Sequence, residues 1–362
     1  MSILYKIFLT IFSLISVLLL NFYLFFLKKN KKIIFFYFLK KSSKEQINGI
    51  EKYFNKFRNF TTIYGSSYFL KRNYFIIKPS HFKIISGPQI FITDYVVDNF
   101  PKKTKNYYLH HDIYDTPLLE KKKEKTLIKR LNFYDNILLP SKKSLKVFNQ
   151  LFDDKKKKPK IDIIGEYPKL TYLDKYIYKP KTNFSKNKSI IIAPSGFQGI
   201  PRLSMKNHLY KIINLLLNEK YKVIFRPHPD NISNEYILKI KNNFESNNFF
   251  QLDVSRSYLQ QYYNSSIMIT DYSGTAYTYS MMTLNPVLFF SFNEFYVNKL
   301  RYNQLNYFKD RTKIGLVSYK SSEITKKVRQ LIKFKKKYSR NILKIKKNFF
   351  FNKKLRNKFN LD

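Results

Sequence analysis

No cysteine occurs anywhere in this chain, and that one absence removes disulfides, thiolate zinc sites and cysteine nucleophiles together. There is no HExxH pair, no GxxxxGK[ST] loop, and no Asp-x-Asp in a clear strand-end setting. The sequence therefore predicts chemistry without a metal and without an ATP-type site. Tryptophan is missing, and glycine is scarce at 8 of 362 residues. Acidic residues number 24 against 68 lysines and arginines, for a formal net charge of +44. Such an excess favours polyanionic partners, either nucleic acid or an anionic bilayer. The lysines, however, come in scattered runs such as Lys121 to Lys123 and Lys155 to Lys158, whereas a nucleic-acid module gathers its charge beside stacking aromatics on one face. The expectation is no nucleic acid, and attraction to anionic phospholipid instead. The accompanying wealth of Ile, Asn, Phe and Tyr reads as the codon usage of an AT-rich genome, which accounts for part of the charge.

What is present begins with an apolar run. From Ile7 to Leu27 no charged residue occurs, and about 21 residues at ~1.5 Å each can cross a hydrocarbon core of ~30 Å. The run is bulky and ends in Phe-Phe-Leu, unlike the short apolar region and small-residue cleavage site of a signal peptide. Lys6 stands alone before it, while Lys28, Lys29, Lys31 and Lys32 follow. The positive-inside rule then predicts a single-pass anchor in the inner (cytoplasmic) membrane with the catalytic part in the cytoplasm.

Past the anchor, short β-branched and aromatic runs alternate with segments of helical period, as in parallel sheets covered by helices. Predicted strands are Ile33 to Phe38, Ile90 to Thr93, Tyr107 to His110, Asn136 to Leu139 and Ile161 to Ile164, with helices at Lys44 to Phe57 and Ser141 to Phe152. A Lys- and Pro-rich stretch from Tyr167 to Lys188 reads as a linker. Strands resume at Ser189 to Ala193, Lys222 to Phe225, Ser266 to Thr270 and Pro286 to Phe290. A helix capped by Ser204 is predicted to bury Leu209, Ile212, Ile213 and Leu216. The expected organisation is an anchor with its basic flank (1–32), a first Rossmann-like domain for the acceptor (33–170), a linker (171–188), a second Rossmann-like domain for a nucleotide donor (189–320) and a basic helical tail (321–362). The tail can lie on a bilayer or close back on the first domain.

In open α/β sheets ligands sit beyond the carboxyl ends of strands. Four polar clusters fall there: His110-His111-Asp112, Pro194-Ser195-Gly196, Arg226-Pro227-His228-Pro229, and Asp271-Tyr272-Ser273-Gly274-Thr275. The last is a strand-to-helix turn whose hydroxyls and amides suit a phosphate, though an ordinary N-cap has the same composition. The Arg226 guanidinium fork suits a pyrophosphate, and His228 can donate to one or shuttle a proton. Of the five histidines in the chain, three lie in these clusters; His81 and His208 have no such setting.

With those clusters in view the chain resembles the CDP-glycerol glycerophosphotransferase family, the teichoic-acid primases and polymerases, over residues 85 to 295. Tyr107 to Leu118, with His110-His111-Asp112 and Thr116-Pro117-Leu118, is similar to the family's strand and Trp-His-Gly-Thr-Pro-Leu motif. Gly165 to Lys169 resembles its Gly-x-Pro-Arg, and Ile192 to Ser195 its Tyr-Ala-Pro-Thr. Arg226 to Pro229 matches Arg-x-His-Pro, and Ile269 to Ser273 matches Thr-Asp-Tyr-Ser-Ser. The departures are three extra residues between His111 and Thr116, Gly274 for the second Ser, Thr278 where Asp is common, and Gly196-Phe197-Gln198 for an aromatic-Arg pair.

The resemblance implies an α/β fold of GT-B type, two doubly wound domains facing a cleft, and a CDP-linked donor used as substrate with no cofactor. It assigns His111, with His110 as the alternative, to deprotonating an acceptor hydroxyl, and His228 to the donor phosphate. Ser195, Gly196, Arg226, Asp271, Ser273, Gly274 and Thr275 are expected to bind the donor. The expected reaction moves glycerol phosphate or a related polyol phosphate to a lipid-linked or surface-glycan hydroxyl and releases CMP. A nucleotide-sugar glycosyltransferase of the same fold, and a non-catalytic basic protein at the membrane surface, are the alternatives.

Overall fold

A computed structural model describes residues 3–27, 32–38, 60–67, 75–114, 121–152, 158–164, 167, 170, 189–255 and 257–349. The predicted helix at Lys44 to Phe57, Thr116 to Leu118, and all but Tyr167 and Leu170 of the stretch from Gly165 to the end of the linker lie outside these residues. The chain divides into two units. The first holds Met1–Ile113, Lys121–Ile177 and Phe349–Asp362, and the second holds Tyr114–Glu120 and Tyr178–Asn348.

The first unit opens with helix α1 (Ile3–Leu27), then strands β1 (Lys32–Phe38), β2 (Phe60–Ser66), β3 (Phe75–Ile76), β4 (Ile90–Thr93) and β5 (Lys105–Leu109). Helix α2 (Lys121–Leu131), β6 (Asn136–Leu139), α3 (Leu145–Leu151) and β7 (Lys160–Ile163) complete it. The strands form one sheet in the order β3-β2-β1-β4-β5-β6-β7, and every pairing is parallel. Strands of a parallel sheet are covered on both faces and so read as continuous apolar runs. Accordingly β1 is buried from Ile33 through Phe38. Its Ile34, Phe36 and Phe38 pack with Ile92, Tyr107, Leu109 and Leu138.

The second unit contains β8 (Ser189–Ile192), α4 (Leu209–Asn218), β9 (Val223–Phe225), α5 (Glu235–Phe244), β10 (Phe250–Leu252), α6 (Leu259–Asn264), β11 (Ser265–Thr270), α7 (Thr275–Thr283) and β12 (Val287–Phe290). After these come the short α8 (Glu294–Lys299), α9 (Asn306–Lys309) and α10 (Arg311–Ile314), then β13 (Gly315–Ser318), α11 (Ile324–Lys333) and α12 (Lys335–Phe349). The sheet order is β10-β9-β8-β11-β12-β13, again parallel throughout. Leu209, Ile212, Ile213 and Leu216 of α4 are all fully buried, each stabilising the fold by about 1.5–3 kcal/mol. The predicted Ser204 cap falls one turn early. Its Oγ accepts from Lys206 N at 3.3 Å, at the head of a 3-10 turn over Lys206–His208 that leads into α4. Ile324, Val328 and Leu331 of α11 lie in the same core as α4, so the first part of the expected tail is a packed helix of the second domain.

Helix α1 is long and apolar enough to cross a membrane, yet one side of it is docked on the first domain. Val17, Leu20 and Leu24 are 1% exposed and Ser13 is fully buried. Ser13 Oγ accepts from Lys78 N at 2.8 Å and lies 2.7 Å from His81 Nδ1. Asn21 bonds the Ile84 carbonyl at 2.8 Å and the Ser86 amide at 3.0 Å. Burial and the neighbouring Lys78 both push the His81 imidazole below its ordinary pKa, which keeps it neutral beside the Ser13 hydroxyl at neutral pH.

The tightest backbone approach in the second sheet is at Gly315, where β13 meets β12. A Cβ there would run into the Val287 carbonyl and backbone, so only hydrogen fits. Gly315→Ala is expected to destabilise the protein by about 1–3 kcal/mol, read as a fall of several degrees in its thermal melting midpoint.

Candidate functional site

Both sheets reverse their winding once. In the second sheet the reversal lies between β8 and β11, which are neighbours although far apart in sequence. Loops after two such strands leave in opposite directions and open a crevice at the strand ends, the usual ligand position of the fold. Residues 193–196 follow β8 and residues 271–275 follow β11, so two of the four predicted clusters meet there. The third, Arg226 to Pro229, follows β9, which pairs with β8.

Asp271 ties these ends together and is itself only 4% exposed. Its Oδ1 accepts from Ser195 N at 2.9 Å and Tyr272 N at 2.8 Å. Its Oδ2 accepts from Ser195 Oγ at 2.9 Å and Met205 N at 3.1 Å. Desolvation raises its pKa, and those four donors pull in the opposite direction. Ser195 and Asp271, both expected to bind donor, thus spend their polar atoms on one another. Next to them Thr270 Oγ1 donates to the Ala193 carbonyl at 2.5 Å. Tyr272 reaches across to accept from Ile200 N at 2.6 Å, which pins the loop after β8.

Arg226 is likewise committed. Its guanidinium forms an ion pair with Asp253 and bonds Ser255 Oγ at 3.3 Å and the Ser255 carbonyl at 3.1 Å. The fork expected to hold a pyrophosphate braces β9 against the loop after β10. A buried carboxylate left without its cation would be costly, which explains the pairing.

The groups presented at these strand ends are His228, Gly196 and the head of α7. The His228 ring lies beside Gly196, where a Cβ would stand 3.5 Å from Nδ1, an ordinary van der Waals contact. The Asp230 amide donates to His228 Nδ1 at 3.3 Å. In the neutral ring the proton therefore sits on Nε2. The Asp230 carboxylate, 3.7 Å from the same nitrogen, makes an ion pair only once the ring is protonated. Ser273, Gly274 and Thr275 are half-buried at the start of α7, with Gly274 as the N-cap residue. The first amides of a helix lack intrahelical acceptors and carry the positive end of its dipole, an arrangement suited to phosphate oxygens. The Tyr307 hydroxyl donates to the Ser273 carbonyl at 3.1 Å, and Tyr262 bonds Thr275 Oγ1, so this turn is held from two sides.

In the first unit the reversal lies between β1 and β4, and His110 and His111 follow β5 beside it. The two differ completely. His110 is fully buried, with its ring 4.9 Å from Phe148 and 3.4 Å from the Tyr108 hydroxyl. His111 is half-buried and stacks on Tyr95 at 4.7 Å with the ring planes 17° apart. Its Nδ1 lies 3.2 Å from the Asp94 carbonyl. A carbonyl only accepts, so Nδ1 carries the proton and Nε2 keeps its lone pair. Its own carbonyl is held by the Tyr167 hydroxyl at 2.8 Å. Among the described residues, no group of three or more His, Asp or Glu side chains is placed to hold a metal.

Asp253, Tyr95 and Tyr307 were invisible as site residues in the sequence. Asp253 stands just after the short strand β10, and recognising that strand was the one available signal. Asp271→Asn replaces a carboxylate oxygen by an NH₂ that faces a donor, leaving an amide N–H unsatisfied. We expect a loss of about 1–3 kcal/mol, measured by thermal melting, with protease cleavage between Ser195 and Met205 accelerated.

The sequence matches the CDP-Glycerol:Poly(glycerophosphate) glycerophosphotransferase family over residues 18–357. No curated protein matches. Among solved structures the fold is similar to that of the wall teichoic acid polymerase TagF, at 17% identity and TM-score 0.57, covering 99% of this chain and 96% of that one. It is also similar to the S. aureus MnaA–UDP structure, at 14% identity and TM-score 0.56, covering 89% and 93%. A UDP-GlcNAc 2-epimerase from Neisseria meningitidis bound to UDP-GlcNAc matches at 12% identity and TM-score 0.52, covering 86% and 94%. These likenesses show a fold of GT-B type with two Rossmann-like domains. The family match spans nearly the whole chain, and the protein belongs to the CDP-glycerol glycerophosphotransferase family.

Proposed function

We propose that this protein transfers glycerol phosphate, or a related polyol phosphate, from a CDP-linked donor to a hydroxyl on a lipid-linked or surface-polysaccharide acceptor and releases CMP. The observation that carries the reading is that opposite backbone groups face the two Nδ1 atoms, the Asp94 carbonyl at His111 and the Asp230 amide at His228. A backbone carbonyl facing His111 Nδ1 favours the tautomer with an accepting Nε2, and a backbone amide facing His228 Nδ1 favours the one with a donating Nε2. One ring is thereby prepared to take a proton and the other to give a hydrogen bond.

In this scheme His111 Nε2 takes the proton of the acceptor hydroxyl as its oxygen attacks the phosphorus of the glycerol phosphate. The new P–O bond forms as the bond to the bridging oxygen of CMP breaks, and the electron pair leaves on the CMP phosphate. His228 Nε2–H stabilises the charge that grows on the phosphate oxygens, together with the amides and hydroxyls of Ser273 to Thr275. Arg226, Ser195 and Asp271 act through the loops they brace, as positioning residues.

The test is turnover with purified enzyme, CDP-glycerol and a lipid-linked acceptor, with CMP as the readout. His111→Ala and His228→Ala are each expected to lower kcat by about 10²- to 10⁴-fold while leaving thermal melting unchanged. Release of UDP from a nucleotide sugar, with no CMP from CDP-glycerol, would replace this reading by glycosyl transfer.

A further inference from the structure

Right-handed crossovers leave the reversal of the second sheet in opposite directions, so α4 and α5 cover one face and α7 the other. The buried residues of α4 and α5 accordingly share one core, to which, among the described residues, α7 contributes none. At the heads of α4 and α5, on the ligand end of the sheet, lies an open recess of about 460 Å³ lined by Lys206, Ser233, Asn234, Glu235, Tyr236 and Lys239. The Lys206 ammonium stands 5.3 Å from the Phe197 ring and 5.5 Å from the Tyr236 ring, and the two rings meet edge to face at 6.1 Å. Each member of this trio is anchored through its backbone. Asn231, itself buried, accepts from Phe197 N at 2.9 Å. Ser204 Oγ accepts from Lys206 N, and the preceding amide, that of Met205, is held by Asp271. Asn234 caps α5 by accepting from Tyr236 N at 3.0 Å.

Lys206 is half-buried, and among the described residues no carboxylate pairs with it or with Lys239. Two ammonium groups beside two fixed aromatic faces suit a ligand that is anionic at one point and carbon-rich beside it. Phosphate oxygens accept from the ammonium groups, and C–H faces pack on the rings. Glu235, the carboxylate that also lines the recess, sits in the first turn of α5, where the positive end of the helix dipole balances it. We infer that the recess binds a polyol phosphodiester already carried by the acceptor, with its phosphate on Lys206 and Lys239 and its carbon chain on Phe197 and Tyr236. The identity of this ligand rests on the transferase reading above, because that reaction leaves its acceptor carrying a phosphodiester. The donor phosphates, assigned to the head of α7, belong to the opposite helix layer, so the recess is free for a second anionic group. Its volume falls in the range of about 300–1,000 Å³ common to small-ligand sites.

The probe is glycerophosphoglycerol, a soluble phosphodiester of two polyols, titrated into the full chain by isothermal calorimetry with and without saturating CDP. Saturable binding that persists beside CDP is expected. Lys206→Gln combined with Lys239→Gln should weaken it at least about tenfold, whereas Lys206→Arg, which keeps the cation over the rings, should retain it. Lys326→Gln, at an exposed position on α11, should leave it unchanged. Thermal melting checks the fold of each variant, and if the paired variant does not fold, Lys239→Gln alone, at an exposed position, is expected to lose affinity several-fold. Binding that is absent from the native protein, unchanged by these substitutions, or abolished by CDP overturns the inference. In the CMP assay the paired variant should raise the acceptor KM about tenfold and leave the KM for CDP-glycerol unchanged; the reverse split overturns it as well. The titration needs no turnover, so its failure is separate from failure of the transferase reading.

Discussion

The strand ends at the reversal of the second sheet hang on one carboxylate, that of Asp271. At the reversal of a doubly wound sheet, the loops after the two central strands part company, and their amides have no ladder to join. Asp271 gathers the amides of Ser195, Met205 and Tyr272 with the Ser195 hydroxyl. The loop after β8 thereby runs where Gly196 can meet the His228 ring, and α7 starts where its first amides are presented. A carboxylate in so dry a place is tolerable because each oxygen has two donors.

The central strands of each sheet were legible because they are buried on both faces and written as unbroken β-branched and aromatic runs. Ile90 to Thr93 and Asn136 to Leu139 came out to the residue. The missed strands lie outside those cores. β2 carries two threonines and a glycine, β10 is three residues long, and β13 begins with Gly315. Their membership depends on a neighbour already in place, which no local pattern announces. The same limit governed the site. Strand-end position singled out His111, His228 and the α7 turn, whereas the pairing of Arg226 with Asp253 joins the ends of two adjacent strands and depends on register. The difference in burial between His110 and His111 also lay beyond the pattern, since a strand buried on both faces gives no alternation to say which side a following residue takes.

His111 and His228 show how a backbone group can orient an imidazole. A peptide carbonyl 3.2 Å away does it for His111, and a peptide amide 3.3 Å away does it for His228. Stacking on Tyr95 then sets the plane of the His111 ring.

Helix α1 carries a practical lesson for anyone handling the protein. Removing an N-terminal apolar leader is a standard route to a tractable enzyme, and it works when the leader is a tether. Here Val17, Leu20 and Leu24 roof part of the first domain, and Ser13 and Asn21 satisfy amides and a carbonyl of the segment beneath. Trimming the greasy end would bare that seam, so a soluble catalytic body is better sought by recolouring the outward residues of the helix with polar side chains than by cutting it away.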